Sequence, residues 1–374
     1  MPRRHLVLTF VLLIAFVGTG HAQHAPSSTL LPAPPAPYET AVEQSRAALD
    51  TLMEREGVPG LTAAVLVDGE IVWAEGFGYA DVENEAPVTP LTKMRIGSVS
   101  KPLTSVALGR LVEADSLDLD APVQRYVPSF PEKRYEVTTR QAAGHIAGIR
   151  HYRDDEFYSR THYDSVEEGL DIFERDSLLF EPGTQYEYSS YGWNLVSAVV
   201  EGAADTPFLR YMRRAVIEPM HLRHTVAGHT DSLIAHRTQF YSRTDEGTLL
   251  NAPYVDNSYK WAGGGYLSTA SDVARFGDAM LREEILAPET VDLLFTPLET
   301  TDGESTGYGL GWQVGTDDEG RRTVGHSGGS VGGSTQFVMY PTQHVVVALI
   351  SNLGGVDYDG VEEQIASFFI EAKQ

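Results

Sequence analysis

The sequence predicts a mixed α/β chain of the α+β kind. One antiparallel sheet is flanked by helices, with a helical subdomain inserted. Three observations lead there. β-rich runs lie near both ends of the chain, helical periodicity fills the stretch between them, and long irregular connections separate the helices. A sheet assembled from two distant segments is the simplest way to join such ends.

The elements follow in order. Met1-Pro2-Arg3-Arg4-His5 is basic, Leu6 to Val17 is apolar, and Gly20-His21-Ala22 precedes Gln23. That is the pattern of a secretory signal peptide over residues 1–22, and it places the mature chain in the periplasm or outside the cell. The apolar run is short for a membrane span, so no stable insertion is expected after cleavage; an uncleaved anchor is the alternative. Residues 23–37 contain Pro-Ala-Pro-Pro-Ala-Pro and read as an extended linker. The domain then runs from 38 to 374, with the helical insert at roughly 115–260.

Tyr38 to Glu56 carries Val42, Leu49, Leu52 and Met53 among charges, a helical spacing stopped by Gly57-Val58-Pro59-Gly60. In LTAAVLVDGEIVWAEGFGYAD, two β-rich runs flank Asp68-Gly69, a hairpin signal. Ser98 to Ala114 is helical, with Pro102 tolerable in the first turn. Tyr191–Gly202 and Pro207–Val216 are helical runs. Thr269-Ala270-Ser271-Asp272 fits a capping box ahead of a helix Val273–Arg282. The last third turns to strands in GYGLGWQVG, RRTVGHSGG, STQFVMYP and HVVVALISN. An amphipathic helix, Val361–Ala372, closes the chain. No internal repeat is present.

Composition excludes several functions. The 374 residues hold 52 Asp+Glu against 28 Lys+Arg, a net charge of −24. A phosphate backbone is repelled by such a surface, so nucleic acid is not an expected partner. With no cysteine, disulfides, thiol nucleophiles and thiolate metal sites are impossible. The acidic balance and the scarcity of lysine fit a protein built for high salt.

Two serines compete for the chemistry. Gly325-His326-Ser327-Gly328-Gly329 matches G-x-S-x-G, the nucleophile elbow. An elbow needs a helix after the serine, with acid and histidine downstream. Here a glycine turn and a strand follow Ser327, and only His344 remains, within a strand pattern. The elbow is therefore set aside. Ser98 and Lys101 instead form S-x-x-K at a helix start, on one helix face. Unpaired N–H groups there favour developing negative charge, and a lysine kept neutral by burial can take a serine proton. The motif alone also fits an N-cap serine beside a solvated lysine. Lys101 is the only lysine with serine three places before it.

Tyr188-Ser189-Ser190 and His326-Ser327-Gly328-Gly329 follow in order. S-x-x-K, then Y-x-polar, then basic-x-Gly resembles the serine β-lactamases and penicillin-binding proteins, and within them the class C-like branch. VPGLTAAVLVDGEIVWAEGFGYAD resembles that branch's first hairpin. AAGHIAGIRHY resembles its H-x-S-G-[IL] turn, with Ala147 where serine is usual. VQRYVPSFPEK and PYVDNSYKWAGGGYLST resemble its mitochondrial serine β-lactamase-like members. The likeness spans Tyr38 to the C-terminus and implies a β-lactamase/transpeptidase-like fold. By that resemblance Ser98 is the nucleophile, Lys101 accepts or relays its proton, and Tyr188 passes a proton to the leaving group. The N–H groups of Ser98 and Gly329 form the oxyanion hole. Ser190, His326 and Gly328 complete the substrate side.

Two departures matter. Ser190 stands where Asn is usual, so its grip on a substrate amide is looser. His326 stands where many members have Lys, and an unperturbed imidazole is mostly neutral at pH 7. Esters or peptides are therefore expected to turn over better than ordinary penicillins. The implied partner is a peptide, ester or β-lactam-like small substrate, with peptidase activity preferred. No cofactor or metal is expected: His145 and His151 lie near Asp154 and Asp155 without convincing ligand spacing. Tyr254, Tyr259 and Trp261, with Gly263-Gly264-Gly265 and Tyr266, either wall the cleft in an extended loop or pack in the core. A homo-oligomer stays open, as does a non-catalytic binding or filament-forming scaffold.

Overall fold

The structure is a computed structural model that describes residues 29–30 and 34–373. The expected signal peptide, residues 1–22, lies outside the described residues.

Two chain segments build one antiparallel sheet. The first supplies β1 (Thr29–Leu30), β2 (Gly60–Val67) and β3 (Glu70–Asp81). The last third supplies β4 (Gln313–Thr316), β5 (Arg322–Ser330), β6 (Gly333–Tyr340) and β7 (Val345–Ser351). Their order is β1-β3-β2-β7-β6-β5-β4, with Ala86–Pro87 paired to β3 off this path. The segments meet at β2 and β7, where Val65 stands opposite Val347. Part of the expected linker thus joins the sheet: Thr29 pairs with Gly76 and Leu30 with Glu75.

Both faces of the sheet centre are covered, so β2 and β7 are apolar at nearly every position. Their side chains alternate between two cores. Leu61, Ala63, Val65, Val345, Val347 and Leu349 face one. Ala64, Leu66, Val346, Ala348 and Ile350 face the other. Helices α1 (Glu39–Glu56) and α6 (Val361–Ala372) lie side by side over the first face. Gly57 ends α1 with φ of 57°, a left-handed position where glycine avoids the Cβ clash. The second face carries the larger core, which holds α2 (Ser100–Glu113), α3 (Ser190–Ala204) and α5 (Ala270–Leu281).

Several expectations needed correction. The GYGLGWQVG stretch is a strand only from Gln313. Tyr308, Leu310 and Trp312 enter the core ahead of that strand, and Tyr308 makes an isolated bridge to Gln313. His344 sits in the β6–β7 turn at φ 52°, not in a strand. The box at 269–272 is half formed. Thr269 accepts from Asp272 N–H, but the Asp272 carboxylate turns to the His224 N–H. A complete box lies at Thr138 and Gln141. The insert is helical chiefly in α3. Phe208–Met212 widens into a π-helical turn, Arg213–Ile217, and short strands follow at Val226–Ala227, Tyr241–Arg243 and Leu249–Asn251.

One charge is wholly buried in the first core. Glu75 accepts from Trp73 Nε1 at 2.7 Å and from Arg46 Nε of α1 at 3.0 Å. Removing the carboxylate leaves the indole N–H unpaired in apolar surroundings, whereas Arg46 can turn to water. Glu75→Ala is expected to cost about 2–3 kcal/mol and Arg46→Ala about 1 kcal/mol or less. Urea midpoints of the two variants check the ranking.

Candidate active site

The site forms where the turn before α2, the start of α3 and strand β5 converge. Ser98 lies in a short 3₁₀ turn, Gly97–Val99, that leads directly into α2. Gly97 has φ of +51°, and a Cβ there would lie 2.6 Å from the Gly329 carbonyl oxygen and 2.8 Å from its nitrogen. A side chain is excluded both by conformation and by this backbone-to-backbone approach. Gly328 makes the matching approach: its Cβ would meet the Ile96 carbonyl at 2.1 Å. The expected substrate residue Gly328 therefore packs against the turn, while Ser327, Gly329 and Ser330 line the cavity.

Lys101, one turn after Ser98 and in the first turn of α2, is fully buried. Its Nζ lies 2.9 Å from Ser98 Oγ, 2.9 Å from the Gly263 carbonyl and 3.4 Å from Ser190 Oγ. Burial, together with the nearby charge of Lys260, pushes its amine well below the ordinary lysine range. A neutral amine bonded to a serine hydroxyl can accept that proton when the oxygen attacks a carbonyl. The N-cap alternative fails, because no side chain caps α2.

Tyr188 completes the triangle. Its phenol interacts with the Ser98 and Ser190 side chains, and burial holds it above the usual range, so it stays protonated. Lys101 Nζ lies over its ring at 4.9 Å. Local sequence explains its placement. Ser189 caps α3, accepting from Gly192 N–H at 3.0 Å and donating to the Arg150 carbonyl at 2.7 Å. His145 Nδ1 accepts the Ser189 N–H, and His151 Nδ1 accepts the Ser190 N–H. The two histidines set aside as metal ligands thus act as backbone anchors for the second motif.

His326 is buried on β5 and is not a free cation. Its Nε2 lies 2.8 Å from the Tyr308 hydroxyl, and its Nδ1 faces the Ser327 carbonyl. That carbonyl can only accept, so Nδ1 carries the proton and Nε2 accepts from Tyr308. Burial, reinforced by Lys101, pushes the imidazole down to about 3.

Ser98, Tyr188, Ser190, His326 and Gly329 line one cavity of about 410 Å³. Sequence reasoning missed Lys260, Tyr152, Phe157 and Gln313, which also line it, and the carbonyl of Gly263. The expected extended loop around 261–264 is a single helical turn, α4 (Trp261–Gly264), that aims this carbonyl at Lys101. Tyr254 is exposed, whereas Tyr259 and Tyr266 are buried. Among the described residues, no group of three His, Asp or Glu could hold a metal ion.

The fold and this three-motif cleft define a serine β-lactamase-like protein. The chain belongs to the beta-lactamase family, whose profile matches residues 46–368. It is 34% identical to human "Serine beta-lactamase-like protein LACTB, mitochondrial", over 92% of this chain and 83% of that protein. It is 25% identical to "Penicillin-binding protein 4*" of Bacillus subtilis, over 81% of this chain and 70% of that one. Its fold matches the octameric penicillin-binding protein homologue from Pyrococcus abyssi with a TM-score of 0.76 at 25% identity, covering 88% and 77% of the two chains.

The neutral His326 has a consequence for acid stability. An unfolded imidazole gains a proton below about 6.5, but the folded one does not until about 3. Its contribution is complete above the unfolded value and is lost as pH falls toward the folded one. His326→Gln keeps a donor for Ser327 and an acceptor for Tyr308 but cannot titrate. Thermal melts from pH 7.5 to pH 4 are expected to show a shallower acid-side fall in the variant. The difference reaches at most about 3 kcal/mol at pH 4. Parallel slopes would mean that His326 ionises freely in the folded protein.

Proposed function

We propose that this chain is an exported serine hydrolase that acts through a Ser98 acyl-enzyme on a peptide or related amide or ester. The observation that carries the reading is the 2.9 Å contact of Ser98 Oγ with a lysine amine that burial keeps from its usual charge. Ser98 attacks the carbonyl carbon and its proton passes to Lys101 Nζ. The oxyanion lies between the N–H groups of Ser98 and Gly329, which the Gly97–Gly329 approach holds at one corner of the cleft. Two fixed donors there are worth a few kcal/mol in the transition state. Tyr188, protonated and beside Ser98 and Ser190, hands its proton to the departing nitrogen or oxygen and recovers one from Lys101. Water then attacks the ester, its proton returns through the same groups, and Ser98 is released.

Peptide substrates take first place on the likeness to the mitochondrial serine β-lactamase-like proteins, the human one 34% identical and matched over 83% of its length. Esterase activity comes next, then weak β-lactamase or D-Ala-D-Ala carboxypeptidase activity. His326 presents no permanent charge to a β-lactam carboxylate, which supports slow turnover of benzylpenicillin. Export rests on the pattern of residues 1–22. Among the described residues no helix is long and apolar enough to cross a membrane.

A fluorophosphonate probe located by peptide mapping tests the reading. Label on Ser98 is expected, with Ser98→Ala abolishing it and Lys101→Ala slowing it by about 10²–10⁴-fold. The labelling rate should rise with pH as Lys101 loses its proton. Label on Ser327 would reinstate the elbow, and no label on either would bring forward a binding or filament-forming scaffold.

A further inference from the structure

The cleft contains a second buried lysine that the acyl-transfer scheme does not use. Lys260, just before α4, is 2% exposed and lines the cavity with Ser98, Tyr188 and Gly329. Its ammonium lies 4.4 Å from the ring centre of Phe157, 5.2 Å from that of Tyr259 and 5.4 Å from that of Tyr152. These rings cover the stem and present their faces to the charge. No hydrogen bond or ion pair of its ammonium is found among the described residues. The charged group acting on it is Arg95, a cation; Lys101, set up to be neutral, and His151 are the other basic groups nearby. Tyr152 and Tyr259 are neutral phenols. Glu156, whose backbone carbonyl accepts the Tyr259 hydroxyl, commits its carboxylate to Arg150 and Tyr191.

The contrast with Lys101 is informative. Lys101 is held by three oxygens and set up to be neutral. Lys260 has rings, no oxygen and no counter-charge, which is costly for a buried cation unless something completes it. On the opposite wall, Tyr308 and Ser327 absorb both nitrogens of His326, so the third motif offers no cation.

We propose that Lys260 is the anion-binding group of this cleft, and that its preferred acyl donors carry a carboxylate directed at the Tyr152–Phe157–Tyr259 wall rather than at β5. This rests on the Ser98 acyl-enzyme reading. The rings desolvate the pair and strengthen it, and the substrate supplies the missing negative charge.

Phenylboronic acids test it. Boron accepts Ser98 Oγ, a B–O bond forms, the hydroxyl proton passes to Lys101, and boron becomes tetrahedral. The meta- and para-carboxy acids are compared with their neutral methyl esters by protection of Ser98 from the fluorophosphonate. At pH 6.5 at least one carboxylate isomer should bind about tenfold tighter than its ester. That ratio should fall to within about twofold in Lys260→Met and survive in Lys260→Arg, since arginine keeps the charge. The ratio is read within each variant, so any general loss of activity cancels. If the variants do not fold, the pH dependence of the unsubstituted protein decides. Burial, with Arg95 nearby, pushes Lys260 down to about 7, so the ratio should shrink between pH 6 and pH 9. Equal binding of acid and ester, with boronates inhibiting and Ser98 labelled, overturns the Lys260 assignment alone, as does a ratio flat in pH. Absence of both labelling and inhibition overturns the Ser98 reading, and the Lys260 assignment falls with it.

Discussion

The site is organised around the burial of Lys101 without a carboxylate. An amine taken out of water must either lose its charge or find compensation. Here it finds three oxygens, each from a different part of the chain: Ser98 before α2, Ser190 at the start of α3 and Gly263 in α4. Those bonds satisfy the group without holding its charge in place. They also tie the insert to the sheet-bearing half of the domain. A carboxylate in place of any of them would restore the lysine's charge and remove its capacity to accept a proton.

Backbone packing does the remaining positioning. Gly97 against Gly329 and Gly328 against the Ile96 carbonyl bring the 96–98 turn onto β5 with no side chain between them. This contact joins a residue from the first hundred to one from the last fifty. It depends on the antiparallel pairing of β2 with β7, which closes the sheet across the insert. Opposite, His145 and His151 accept the N–H groups of Ser189 and Ser190 and hold the second motif toward the first. The candidate catalytic side chains, on separate elements, are thereby positioned by main-chain contacts, which move less than side chains do.

Much of this was legible in the sequence. The hairpin about Asp68-Gly69, helices α1, α2, α3 and α6, and the strands around RRTVGHSGG, STQFVMYP and HVVVALISN follow from period and turn chemistry alone. The errors have physical causes. Tyr308, Leu310 and Trp312 alternate as strand residues do, because entering a core can produce the same period as pairing. Asp272 matches a capping box by type and spacing, but tertiary folding offered its carboxylate a different N–H. Gly263, Gly264 and Gly265 carry no helical signal, so the sequence leaves the 261–264 segment open, and core packing makes it a helical turn.

The sequence by itself determined the chemistry available: a serine and a lysine three apart at a helix start, a tyrosine and a histidine in the right order, no thiol, and a strongly acidic surface. These are properties of residue type and local spacing, which are readable along one dimension. Only the tertiary structure decided the ionisation of those groups. His326 and Lys260 look in sequence like any histidine and lysine. Folding buried one of them near Lys101, which keeps it neutral, and surrounded the other with aromatic rings and no counter-charge. Desolvation and partner geometry are three-dimensional quantities, so the distinction between an inert and an available cation does not exist before the chain has folded.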